Sequence, residues 1–133
     1  MALRYYMLVA VYCAALFMLS ASPNPAPGIS RFPGADKAGH AVLYGGLAAA
    51  VGIGMRRSQR AYSPRTLFYV PVIFAAAYGV SDEVHQWFVP GRTLDVWDVL
   101  ADAAGAVLVQ YALCRWWAVL PPEQGTAPPP QGY

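Results

Sequence analysis

Four apolar stretches, separated by short polar or proline-rich segments, organise the chain: Leu3–Ala21, Ala38–Met55, Thr66–Ser81 and Val96–Val119. A bilayer hydrocarbon core takes roughly 20 helical residues to cross, so each stretch is expected to form a transmembrane helix. The third is short by this measure. It is expected to continue through Asp82, Glu83 and His85, with its last turns leaving the lipid. The spans are therefore predicted at about 3–21, 38–55, 66–85 and 96–119.

The breaks between the stretches are as informative as the stretches. Ser22 to Gly28 carries three prolines, which remove backbone donors and bias their predecessors to extended conformations, so this segment reads as a loop. The second connection holds Arg56, Arg57, Arg60 and Arg65, with Ser63-Pro64 as a helix-start signal. The positive-inside rule makes that loop cytoplasmic. In the third connection, Pro90-Gly91 signals a turn, and Trp87 and Phe88 are of the kind that settle at a membrane interface. Four spans then place both termini in the cytoplasm, consistent with Arg4 and Arg115. The expected fold is an all-α membrane protein, a compact four-helix bundle over residues 1–120. Residues 121–133 are expected to form a disordered proline-rich tail.

Composition agrees, since 57% hydrophobic and 12% charged residues are too apolar a mixture for an ordinary soluble domain. A net charge of +2 without a basic stripe argues against nucleic acid as a partner. Cys13 and Cys114 lie inside apolar runs and read as reduced packing residues, with a disulfide as the alternative. Arg4, the apolar run to Leu19 and the small residues Ser20-Ala21-Ser22 imitate a secretory signal peptide. The run is longer than a usual signal core, which favours a retained first span.

The polar residues change the picture from a generic bundle to a candidate site. Every acidic residue except Glu123 falls into one of three clusters: Asp36; Asp82 with Glu83; and Asp95, Asp98 and Asp102. The topology sends all three to one membrane face, the outer one. His40 follows Asp36 by four residues and His85 follows Asp82 by three, spacings that share a helical face, and Lys37 and Arg92 complete the set. Asp95, Asp98 and Asp102 line one side of the fourth helix and carry carboxylates about two turns deep. A carboxylate at such depth costs about 2.5–3.5 kcal/mol even on the lenient insertion scale, so Asp102 needs a partner or a function. Lys37, Arg92, His40 and His85 are the candidate partners. Gly39, Gly45, Gly46, Gly105 and Ala106 would let neighbouring helices approach closely.

The run from Asp82 to Asp102, DEVHQWFVPGRTLDVWDVLAD, resembles the signature of the VanZ-like family, and Asp36-Lys37-Ala38-Gly39-His40 followed by Tyr44 resembles that family's first motif. Matching positions are Asp36, Lys37, His40, Tyr44, Asp82, Glu83, Gln86, Arg92, Asp95 and Asp98. Asp102 departs from the pattern, standing where many relatives have asparagine. The resemblance implies a multi-pass protein of the bacterial cytoplasmic membrane, in a family whose founding member is linked to low-level teicoplanin resistance. It supplies no reaction.

The functional expectation is an outward-facing polar site that binds or processes an anionic cell-envelope lipid or cell-wall precursor, linked to resistance against glycopeptides or other envelope antibiotics. Asp36, His40, Asp82, Glu83, His85 and Asp98 are the candidate catalytic residues. Lys37, Tyr44, Gln86, Arg92, Asp95 and Asp102 are candidate binding residues. Arg92 and Lys37 would hold a phosphate or carboxylate, and a histidine oriented by Asp36 or Asp82 would move a proton. A divalent cation held by Asp82, Glu83, Asp95 and Asp98, with His85 joining, is an open option that no dense motif compels. A non-catalytic module that shields or binds an envelope component or partner protein is the alternative reading. A small proton-coupled transporter, in which a homodimer would supply the missing spans, is a third.

Overall fold

The computed structural model describes residues 2–23, 33–58 and 60–119. They form four helices, α1 (Ala2–Ser20), α2 (Ala35–Arg56), α3 (Pro64–Gln86) and α4 (Val96–Val119), with no strand among the described residues. All four are long and apolar enough to cross a membrane. Most of the proline-rich first connection and the whole expected tail, 121–133, lie outside the described residues.

Local chemistry sets the helix ends. Ser63 accepts the Thr66 backbone N–H at 3.1 Å while Pro64 occupies the first turn, where its missing donor costs nothing, so α3 starts at the signal read from the sequence. It runs to Gln86, through Asp82, Glu83 and His85 as expected. At the start of α4, Asp95 caps the helix by accepting the Trp97 N–H at 2.8 Å. Between α3 and α4 the Arg92 N–H donates to the Val89 carbonyl at 3.1 Å, with Pro90 second in the turn and Gly91 third at φ 81°, the arrangement of a type II turn. α2 begins at Ala35, earlier than the apolar pattern alone predicts, because Gly34 enters it in the left-handed conformation at φ 79°. Asp36 and Lys37 are therefore helical residues, not loop residues.

The helices alternate in direction. One end of the bundle gathers the C-terminal turns of α1 and α3 with the N-terminal turns of α2 and α4; the other gathers Tyr5, Met55, Tyr62 and Thr66 around an apolar pocket. α2 and α4 form the most extensive interface, α3 packs on both, and α1 lies outermost against α2 and α3. Backbone proximity makes the α2–α4 interface. A Cβ on Gly105 would collide with the Ala41 carbonyl, and one on Gly45 would sit 3.1 Å from the Gly105 carbonyl oxygen. Lipid gives no hydrophobic drive for helices to associate, so this close van der Waals contact supplies the packing. Gly46 makes room for a side chain instead: the Tyr12 ring lies over it, and the Tyr12 hydroxyl donates to the Leu43 carbonyl at 2.9 Å. Gly39, expected in a helix contact, has nothing within 4 Å of a built Cβ and borders a cavity.

The interior contains few large apolar side chains, chiefly Leu16, Tyr44 and Leu47 with Ala48, Ala75 and Ala106. Met7, Val42, Ile73 and Leu108 point outward, as suits a bundle solvated by lipid. Cys13 and Cys114 are both free. At the end of the bundle opposite the acidic clusters, Arg56 donates to the Gln110 side chain, the Gly52 carbonyl and Cys114 Sγ, while fully buried Gln110 donates to the Ala48 carbonyl at 2.7 Å. These bonds join α2 to α4 a second time.

Candidate functional site

The acidic clusters meet at one end of the bundle. Asp36, Lys37, His40 and Tyr44 fall on successive turns of α2, Asp82, Glu83 and Gln86 on the last turns of α3, and Asp95, Asp98 and Asp102 on one side of α4. Between them and the C-terminal turn of α1 lies a cavity of about 470 Å³. Its polar wall includes Asp36, His40, Asp82, Arg92, Asp95 and Asp98; its apolar wall is Leu16, Leu19 and Leu43.

Lys37 links α2 to α4. Its Nζ reaches Asp95 Oδ2 at 2.8 Å, Asp98 Oδ1 at 3.0 Å and Asp36 Oδ2 at 3.3 Å. Asp95, which lies outside the spanning segments, is held below the usual carboxylate range, first by this ammonium and then by the Trp97 N–H. The Asp95 backbone N–H in turn donates to Glu83 Oε2 at 2.8 Å, tying α4 to α3. Asp36 sits on the exposed rim.

Deeper in, His40 Nδ1 meets Asp102 Oδ1 at 3.0 Å. Asp102 is fully buried and sits about 9 Å along α4 from Val96, so of its four candidate partners the structure selects the histidine. Gly79 makes this possible, because a Cβ there would strike the Asp102 carboxylate. The His40 ring is parallel to that of Tyr44, with centroids 6.1 Å apart. The other imidazole nitrogen, Nε2, lies 3.7 Å from Asp98 Oδ2 and 4.0 Å from Glu83 Oε1. On the far side, Gln86 Nε2 donates to Asp82 Oδ2 at 2.8 Å and Gln86 Oε1 accepts from Arg92, a chain that runs from a buried carboxylate to a half-buried guanidinium.

Of the twelve candidate residues, His85 stands apart. Its ring stacks on Phe17 of α1, with centroids 4.3 Å apart and planes 3° from parallel, and it joins none of the cluster's bonds. Helical geometry explains this: two residues beyond Glu83 rotate a side chain by about 200°, and the face of α3 that presents Glu83 to α4 turns His85 toward α1. The cation option read from the sequence changes accordingly. Asp82 is engaged by Gln86 and Asp95 by Lys37, while His40, Glu83 and Asp98 bring one donor atom each within 4.8 Å of one another.

Sequence reasoning missed the apolar wall and Gly79. Leu16, Leu19 and Leu43 carry no chemical signal inside apolar runs, and a glycine in a transmembrane stretch does not announce which side chain it accommodates. Five buried polar atoms have no hydrogen-bond partner among the described residues: Ser20 Oγ, Tyr44 Oη, Glu83 Oε1, His85 Nδ1 and Asp102 Oδ2. Four of the five belong to the cavity lining or the His40 cluster.

The family model described as VanZ/LLP1 matches residues 5–118, from α1 nearly to the end of α4. No curated protein and no solved structure matches the chain.

Proposed function

Since the chain belongs to the VanZ/LLP1 family across nearly the whole bundle, we propose that this membrane protein binds an anionic envelope lipid or lipid-linked cell-wall precursor by its headgroup, at the acidic end of the bundle and on the outer face of a bacterial cytoplasmic membrane. The carrying observation is the two-sided cavity: Arg92, His40 and the carboxylates on one wall, and Leu16, Leu19 and Leu43 on the other. Such a pocket suits a molecule with a polar head and an apolar chain. Arg92 is the group for a phosphate or carboxylate, because its fork is held by Gln86 through a neutral amide and still borders the cavity. Lys37, also a candidate, is already shared among three carboxylates. The outward orientation rests on the arginines at the opposite end, Arg56, Arg57, Arg60 and Arg65, and on the positive-inside rule. A protein that holds or alters such a lipid would change how glycopeptides reach their target, the resistance role implied by the family resemblance.

The test is native mass spectrometry of the full chain in detergent, titrated with phosphatidylglycerol and with phosphatidylcholine. Preferential retention of phosphatidylglycerol is expected. Arg92→Ala should weaken it about tenfold or more, the worth of a charge-assisted hydrogen bond. Equal retention of both lipids, or an Arg92→Ala variant that still prefers phosphatidylglycerol, removes the reading. The recovered lipid separates binding from processing: unchanged lipid assigns the site to binding, and a new product to catalysis.

A further inference from the structure

We propose that His40 Nε2, Glu83 Oε1 and Asp98 Oδ2 form a binding site for one divalent transition-metal cation, with Asp102 as the positioning residue that orients the imidazole.

The first ground is a mismatch of charge. Asp36, Asp82, Glu83, Asp95, Asp98 and Asp102 share one end of the bundle with only Lys37 and Arg92 as permanent cations among the described residues. Lys37 is satisfied by Asp36, Asp95 and one oxygen of Asp98, while Arg92 is bonded to the neutral Gln86 amide and reaches no carboxylate among the described residues. Glu83, 1% exposed, keeps Oε1 without a partner among the described residues, and that atom is directed at His40. Desolvated carboxylates left in this state are costly, and a bound cation removes the cost.

The second ground is the orientation of His40. Asp102 Oδ1 lies 3.0 Å from Nδ1, so this carboxylate accepts from Nδ1–H and turns the Nε2 edge of the ring toward Glu83 and Asp98. Two carboxylates facing Nε2 call for a positive charge between them, which a proton on Nε2 or a bound metal cation supplies. The separations of 3.7 and 4.0 Å exceed a hydrogen bond. They lie just above the roughly 3.4 Å between tetrahedral ligands that bind at about 2.1 Å, and the three donor atoms all fall within 4.8 Å of one another, so the side chains must close on an ion to ligate it. A carboxylate behind a ligating imidazole is the usual support for a metal-bound histidine.

The donor set indicates the kind of ion. One imidazole nitrogen with two carboxylates suits a first-row transition-metal dication and disfavours magnesium, which prefers oxygen and retains its waters. Three protein ligands leave coordination positions open, and His40 and Asp98 lie on the cavity wall. The cation would reconcile an acidic cavity with an anionic headgroup; only that role rests on the lipid reading, because the site stands on its own ligands.

Zn2+ titration of the full chain, purified in detergent with any histidine tag removed, tests the proposal without lipid. One saturable Zn2+ per chain is expected, with Mg2+ at equal concentration failing to displace it. Asp102→Asn, which acts through the imidazole, should weaken binding about 10–100-fold, and Glu83→Gln and Asp98→Asn, near-isosteric changes to the ligands themselves, should weaken it at least as much; His85→Ala should leave it unchanged. X-ray absorption of the Zn2+-loaded wild type should show an imidazole at about 2.0–2.1 Å, a readout that survives if a variant fails to fold. The proposal is overturned by absence of saturable binding, by a spectrum without imidazole, by binding that folded Glu83→Gln and Asp98→Asn retain, or by loss of binding in folded His85→Ala. Zn2+ binding without lipid preference refutes the lipid reading alone. Lipid preference without Zn2+ binding refutes the cation site alone.

Discussion

Replacing Gly105 by alanine tests whether backbone contact between α2 and α4 positions the site. The added Cβ would fall on Ala41, with the Ala41 Cα and carbonyl carbon each only 2.7 Å away. Both are main-chain atoms, so no rotamer change can relieve the contact. The Ala41 carbonyl oxygen is closer still, so reaching an ordinary separation of roughly 3.4 Å requires the helices to part by about an ångström or more. Overpacking costs about 1–3 kcal/mol, and a clash with main-chain atoms belongs at the upper end; alanine recovers ~1 kcal/mol of helix propensity, for a net loss of about 2 kcal/mol. Ala41 adjoins His40, and Gly105 lies one turn beyond Asp102 on α4, so the same displacement stretches the 3.0 Å His40–Asp102 bond. Gly45→Ala should be milder, because one of its two nearest contacts is the movable Val109 side chain at 3.0 Å. Gly39→Ala, with nothing within 4 Å of the new Cβ, should keep or raise stability. Thermal unfolding in one detergent, followed by far-UV circular dichroism, orders the three. The reasoning fails if Gly39→Ala is as damaging as Gly105→Ala, or if Gly105→Ala unfolds like the wild type.

Lys37→Met should destabilise the bundle because it leaves Asp95 and Asp98 without their cation, whereas Asp36→Asn, at the exposed rim, should change stability by less than about 0.5 kcal/mol; urea titration in detergent compares them, and equal effects would contradict the hub role of Lys37. Gln110→Leu removes the buried bond to the Ala48 carbonyl and a partner of Arg56, for an expected loss of about 0.6 kcal/mol and at most ~1.7 kcal/mol, the average and the maximum for hydrogen bonds between membrane helices. A Gln110→Leu variant more stable than wild type by the same titration would show that this second α2–α4 link carries no net stabilisation.

Much of the site is legible in the sequence. Asp95, Asp98 and Asp102 share a helical face by spacing alone, and alternating helix directions bring them to the level of His40 and Glu83. His85 shows where that reasoning stops. The spacing after Asp82 is compatible with a shared face, but which neighbour that face meets depends on the rotation of α3 about its own axis. Packing against α1 and α4 settles that rotation, and it sends His85 to Phe17. Gln110 was invisible for a related reason: one amide in an apolar run can face lipid or protein, and only the neighbouring helix decides.

The apolar stretches and the proline and arginine breaks by themselves determined four helices and the acidic clusters that share one end, because the period of the helix and the thickness of the bilayer act on the chain locally. Tertiary structure alone decided the pairings within that end. His40 takes Asp102, Lys37 takes Asp95 and Asp98, and Glu83 keeps one oxygen turned toward the imidazole. Those choices follow from helix rotation and from how closely two backbones approach at Gly45, Gly105 and Ala41, and no property of a residue's own sequence neighbourhood encodes either.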